Sequence, residues 1–112
     1  MVTNFISEKA KIGENVQVWH FSYIGDNVEI GDNVKIGSLA HIDYDVKIGE
    51  NTKIEGQAYI PPLSRIGKNS VVAMGAIVTR DVQENTVVAG SPAFLRYSRE
   101  EYDKKQKKWL ES

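Results

Sequence analysis

The stretch Ile24-Gly25-Asp26-Asn27-Val28-Glu29-Ile30-Gly31-Asp32-Asn33-Val34-Lys35-Ile36 states one six-residue phrase twice and begins it a third time. An aliphatic opens each phrase, and the period runs outward in both directions without a skip. The series is Ile6, Ile12, Val18, Ile24, Ile30, Ile36, Ile42, Ile48, Ile54, Ile60, Ile66, Val72 and Val78. A second ladder follows four residues behind, from Ala10 and Val16 through Ser22, Val28 and Val34 to Ala76 and Val82, all small or β-branched. Six is a multiple of the strand period of two and does not match the helical 3.6, so each ladder residue leaves its strand on the same side. A fixed hexad over about seventy residues predicts a hexapeptide β-solenoid.

Three hexads make one triangular coil, so residues eighteen apart stack and the corners read as columns. One column is Gly13-Glu14-Asn15, Gly31-Asp32-Asn33, Gly49-Glu50-Asn51, Gly67-Lys68-Asn69; its Gly and Asn suit tight turns and positive φ. The second runs Ser7-Glu8-Lys9, Gly25-Asp26-Asn27, Asp43-Tyr44-Asp45, Pro61-Pro62-Leu63, Thr79-Arg80-Asp81. The third runs Trp19-His20-Phe21, Gly37-Ser38-Leu39, Glu55-Gly56-Gln57, Ala73-Met74-Gly75. The uniform first column reads as scaffold. The two irregular ones are where function is expected, because departures from a local rule tend to mark sites.

Composition fits one small domain. The net charge of −1 over 112 residues gives no reason to invoke nucleic acid or an anionic membrane. Cysteine is absent, which removes disulfides, thiolate metal sites and a cysteine nucleophile. No charged-then-apolar leader opens the chain, and no apolar run approaches the ~18 residues of a membrane span, so a cytoplasmic location is the default expectation. The expected architecture is all-β: a left-handed β-helix domain over 1–97 of about four coils, then a short C-terminal helix over 98–112. Ser98-Arg99-Glu100-Glu101 fits a capping box, and the helix is expected to cover the last coil or a neighbouring subunit. A basic helix recruiting a partner through Lys104, Lys105, Lys107 and Lys108 is the alternative.

The hexads, followed by Gly75-Ala76-Ile77-Val78-Thr79-Arg80-Asp81-Val82 and Asn85-Thr86-Val87-Val88-Ala89-Gly90-Ser91-Pro92-Ala93, resemble the hexapeptide-repeat acyltransferase superfamily. The ending is similar to that of its sugar acetyltransferases. The resemblance implies a left-handed parallel β-helix and a homotrimer with active sites between subunits. It further implies acetyl-CoA as cosubstrate and a sugar or nucleotide-sugar acceptor acylated at an amine or hydroxyl. By the same resemblance Gly75, Ala76, Ala89 and Gly90 line the pantetheine path, and Arg80 and Arg96 meet the nucleotide phosphates, with Lys68 a weaker candidate.

Such a transfer needs a general base and a donor for the developing oxyanion. In the galactoside and maltose acetyltransferase branch the base is a histidine, and the matching position here holds Gln57, which cannot act as a base at neutral pH. The two histidines are then the candidates. His20 shares the corner column of Gln57 and is placed ahead; His41 precedes Ile42 and is expected to point outward from a flat face. Asp43, Asp45 and Glu55 are the acids that could orient a histidine or hold an amine, and Gln57, Asp43 and Tyr44 the expected acceptor contacts. A related branch acetylates amino sugars without a histidine base, which would reconcile Gln57 with activity.

Two rivals remain. A non-catalytic trimeric scaffold, or a degenerate acyltransferase, would share every scaffold feature. A γ-type carbonic anhydrase shares the fold but binds zinc through three histidines, and this chain has two. No metal is expected.

Overall fold

The computed structural model describes residues 4–111. Each ladder aliphatic up to Val72 is the second residue of a two-residue strand: β1 (Phe5–Ile6), β2 (Lys11–Ile12), β3 (Gln17–Val18), β4 (Tyr23–Ile24), β5 (Glu29–Ile30), β6 (Lys35–Ile36), β7 (His41–Ile42), β8 (Lys47–Ile48), β9 (Lys53–Ile54), β10 (Tyr59–Ile60), β11 (Arg65–Ile66) and β12 (Val71–Val72). They close three parallel faces: β1-β4-β7-β10 on the first, β2-β5-β8-β11 on the second, and β3-β6-β9-β12 on the third. Residues eighteen apart are in register, as in Ile24↔Ile42 and Ile36↔Ile54. The left-handed β-helix read from the hexads is the architecture observed.

Alternation at period two sends the second residue of each strand inward. Ile24, Ile36, Ile42 and Ile60 are fully buried and form the floor of successive coils. The polar members of the second ladder are buried too, and each finds a carbonyl across its corner. Ser22 Oγ donates to Gly37 O (2.7 Å) and Ser70 Oγ to Gly67 O (2.6 Å), so burial leaves neither hydroxyl unsatisfied.

The corners refine the turn reading. Left-handed φ belongs to the third residue of most corners: Asn15, Asn33, Asn51 and Asn69 in the Gly-Asn column lie at 56–59°. The glycine heading that column serves a different need. A Cβ at Gly49 would lie 2.4 Å from Lys68 N, so glycine is required there for close stacking of coil on coil, not for positive φ.

Four complete coils are followed by a fifth, shortened one, giving about five turns. Ile77 bridges Tyr59 eighteen residues back, but Val82 bridges Ile66 only sixteen back. Val82 therefore joins the Ile66 column rather than the one its place in the second ladder implied. The coil closes with β13 (Thr86–Ala89), whose Val88 pairs with Val72. β14 (Phe94–Ser98) then turns back antiparallel along β13 and covers that edge of the third face.

The helix α1 (Arg99–Glu111) starts as the capping box requires, with Glu101 N–H donating to Ser98 Oγ at 3.1 Å. It docks on the outside of the third face. Val71 and Val87 are outward residues there, and Tyr102 and Tyr97 bury them. Arg99 is buried as well and donates through Nη1 to Asn51 O (2.9 Å) and Ser70 O (3.4 Å). Among the described residues no helix is long and apolar enough to cross a membrane.

Candidate active site on the first face

Outward residues of the first face stack at intervals of one coil because the register puts like positions one above another. Phe5, Tyr23, His41 and Tyr59 form the resulting ladder, with ring centroids 5.1, 4.6 and 5.3 Å apart. His41 is thus held flat between two phenols, Tyr23 nearly parallel to it at 19°.

Asp43, two residues on, turns its carboxylate to the same place. Its Oδ2 lies 3.7 Å from His41 Nε2 and accepts a hydrogen bond from Tyr59 Oη–H at 3.1 Å. Its Oδ1 accepts the N–H of Tyr44 at 2.9 Å, which fixes the carboxylate. Burial first, then the hydrogen bond and charge of Asp43, push the Tyr59 phenol above its ordinary pKa, so it stays a donor at neutral pH. At 3.7 Å the carboxylate is too far for a hydrogen bond but near enough to pair with the ring when a proton is taken up, as a general base requires.

The predicted residues distribute as follows. His41, Asp43, Tyr44 and Gln57 all border the third coil of this face. Gln57 stands exposed on its edge at φ 62°, in a left-handed column with Phe21, Leu39 and Gly75. His20 is exposed on the same corner, its ring edge-on to Phe21 at 6.3 Å, and has no carboxylate partner among the described residues. Asp45 is an exposed turn residue, and Glu55 faces the other way, accepting Tyr102 Oη–H at 3.2 Å.

Of the predicted coenzyme residues, five gather above Gln57. Gly75 and Ala76 end the fourth coil, and the next layer brings Ala89 and Gly90 over them; Gly90 O accepts Ile77 N–H at 3.0 Å. Arg96 reaches this place, its guanidinium 3.6 Å from where a Cβ on Gly90 would stand. Ala76 is fully buried, so only its backbone could meet a ligand. Arg80 is apart: it caps the opposite edge of the face and lines a 310 Å³ cleft with Phe94 and Leu95. Lys68 lies on the Gly-Asn corner, away from both groups.

Gly75 is the telling position. Its φ of 71° is matched by Phe21, Leu39 and Gln57 at 61–62°, so the turn itself accepts side chains. A Cβ there would meet nothing within 4 Å, so packing does not demand glycine either. The missing side chain leaves open space at this corner, one coil above Gln57. Tyr59 is not among the residues the sequence singles out; its spacing of eighteen from His41 is the signal for the stack.

The family model of the bacterial transferase hexapeptide, six repeats long, matches residues 9–44. Residues 9–44 carry that repeat. No curated protein matches the sequence. Among solved structures, the soybean serine acetyltransferase apoenzyme is 29% identical with a TM-score of 0.77, over 81% of this chain and 42% of that one. WeeI from Acinetobacter baumannii AYE is 26% identical, TM-score 0.70, over 84% and 55%. A variant of GDP-perosamine N-acetyltransferase from Caulobacter crescentus, solved with CoA and GDP-perosamine, is 26% identical, TM-score 0.66, over 84% and 53%. This chain spans about half the length of these proteins. The enzymes named among them are acetyltransferases.

Proposed function

We propose that the hexapeptide chain is an acyl-CoA-dependent acyltransferase that moves an acetyl group to an amine or hydroxyl of a sugar or nucleotide-sugar, working at the subunit interfaces of a homotrimer. The observation that carries the reading is the bare backbone at the upper end of this face, where Gly75 opens onto free space and Gly90, bonded to Ile77, stands by the Arg96 guanidinium. Packing does not demand glycine at Gly75; the left-handed φ of 71° favours it, and the bare backbone also admits close approach of a narrow ligand arm. Arg96 suits a phosphate by its charge-assisted donors. The similarity to enzymes solved with CoA points the same way.

On this reading His41 is the base rather than His20, because it alone is backed by an acid. It accepts the proton as the acceptor's nitrogen or oxygen attacks the thioester carbonyl, and returns it to the sulfur as the C–S bond breaks, releasing CoA as the thiol. Asp43 stabilises the imidazolium formed. Tyr59 holds Asp43 in position, and Gln57 on the adjoining edge can orient the acceptor. Four to five short coils bury little on their own, and the aromatic first face together with exposed Phe21 and Leu39 offers the surface a symmetric assembly would cover.

Acetyl-CoA should raise the melting temperature, since a ligand bound by the native state alone stabilises it by mass action. Light scattering on the eluting protein should give three times 12.5 kDa. No melting shift with acetyl-CoA or CoA at about 1 mM would sink the acyltransferase reading.

A further inference from the structure

A second cleft lies on the opposite side of the third corner, between that corner and α1. It holds about 440 Å³, and its lining includes Trp19, Lys35, Lys53, Glu55, Met74 and Gln106. The size suits one small organic ligand. The floor is bare because Gly37 and Gly56 carry no side chains; a Cβ on Gly37 would lie 2.5 Å from Gly56 N, so the coil stacking itself keeps the floor open.

The charges in this cleft do not balance. Lys35 and Lys53 stack one coil apart on the third face, and neither pairs with a carboxylate among the described residues. Arg99 adds a third cation close by. Asp103 Oδ1 takes Arg99 Nε–H at 2.9 Å, and Glu55 Oε2 accepts the Tyr102 hydroxyl while keeping its charge, which leaves one cation in excess. Lys53 already rests on the Tyr102 ring, its Nζ 5.3 Å from the centroid. Burial first, then the charges of Arg99 and Lys35, hold its ammonium below the usual lysine range, against the partial opposing pull of Asp103 and Glu55. Beside these cations Trp19 leaves 46% of its surface in solvent and Met74 71%, two apolar walls at the cleft's mouth.

We propose that this cleft binds a nucleoside phosphate, its base stacked on Trp19 and its phosphate between Lys35 and Lys53. The chemistry matches part by part. An indole face accepts any base by stacking. Two ammonium groups one coil apart bracket a phosphate as point charges. The second oxygen of Glu55, with Ser38 and Gln106, supplies acceptors and donors for the base edge or ribose. An anion without a ring would leave Trp19 and Met74 in water, and a ring without an anion would leave the excess cation uncompensated. The site is separate from the Gly75 corner and does not depend on the acyltransferase reading.

Trp19 is its own reporter once Trp109→Phe removes the other tryptophan. GMP, UMP and inorganic phosphate would each be titrated into this variant, with and without saturating CoA. Both nucleotides should quench Trp19 emission with saturation below about 1 mM, and phosphate should not quench. The double variant Lys35→Gln/Lys53→Gln should weaken binding about tenfold or more, and calorimetry on Trp19→Leu should show a comparable loss. Unchanged melting temperatures would show that these surface variants still fold. Quenching that rises linearly to about 5 mM, or equal affinity in the double variant, would overturn the proposal. So would loss of nucleotide binding when CoA is present, since that places the nucleotide in the coenzyme groove.

Discussion

Gly49 and Gly75 occupy comparable corners, and the structure assigns them opposite duties. That contrast can be tested with two substitutions, Gly49→Ala and Gly75→Gln. At Gly49 the new Cβ would sit 2.4 Å from Lys68 N and 2.6 Å from Lys68 Cα, all backbone and unable to swing aside. Overpacking of this kind costs about 1–3 kcal/mol, and rigid partners put it at the upper end. Reduced freedom of the unfolded chain returns roughly 0.4–1 kcal/mol. The net loss is about 2 kcal/mol, which lowers the melting temperature of a domain this size by roughly 8–15 °C. At Gly75 the side chain enters open space at φ 71°, a conformation Gln57 holds one coil below. The left-handed penalty of about 1–2 kcal/mol is partly offset by the same entropy gain, leaving about 1 kcal/mol and a fall of about 4–8 °C at most.

Ligand binding should reverse the order. The longer side chain of the Gly75→Gln variant would occupy the open space at this corner and should weaken acetyl-CoA at least about tenfold, equivalent to roughly 1.4 kcal/mol. The Gly49→Ala protein, once folded, should bind with an affinity within about threefold of the parent. Scanning calorimetry gives the first pair of numbers and titration calorimetry the second. Equal melting losses in the two variants would refute the packing argument. Undiminished acetyl-CoA affinity in Gly75→Gln would refute the claim that this open space is the coenzyme's path.

His41→Ala should lower turnover on hydroxyl acceptors by about 10²–10⁴-fold with coenzyme affinity unchanged, while His20→Ala stays within about twofold; steady-state rates on the two variants decide which histidine is the base. Tyr102→Phe removes the hydroxyl that Glu55 accepts and should cost about 1 kcal/mol in urea unfolding at neutral pH. Burial first, then the Glu55 charge and hydrogen bond, push the Tyr102 phenol up to about 12 from 10.0. Because the folded pKa is the higher, that stability is fully present below pH 10.0 and is lost as pH climbs toward 12. Unfolding followed from pH 9 to 12 should therefore fall more steeply in the parent than in Tyr102→Phe, and parallel curves would refute the link.

The solenoid was legible because coil stacking leaves no freedom: one residue gained or lost in a hexad turns the next strand inside out, so the period must be kept. Where the period is relaxed, reading fails for the same reason. Val82 fits the second ladder by type, yet the fifth coil is two residues short and places it over Ile66, a shift that a small apolar residue tolerates in either column. The docking of α1 did leave a trace. Val71 stands where the strand below it on that face holds Lys53, and an apolar residue on an outward position needs a cover, which Tyr102 and Tyr97 supply. The stack around His41 was written in the spacing of Tyr23 and Tyr59, eighteen residues to either side. What spacing could not give is direction. Asp43, Asp45 and Glu55 were equal candidates by proximity in sequence, but only rotamers and neighbours separate them: Asp43 is turned to His41 by the Tyr44 amide and the Tyr59 hydroxyl, whereas Glu55 is drawn to the far side by Tyr102. Preference for His20 rested on its sharing a column with Gln57. A column fixes where a residue stands along the prism; the chemistry of a base depends on the acid beside it, and that acid stands beside His41.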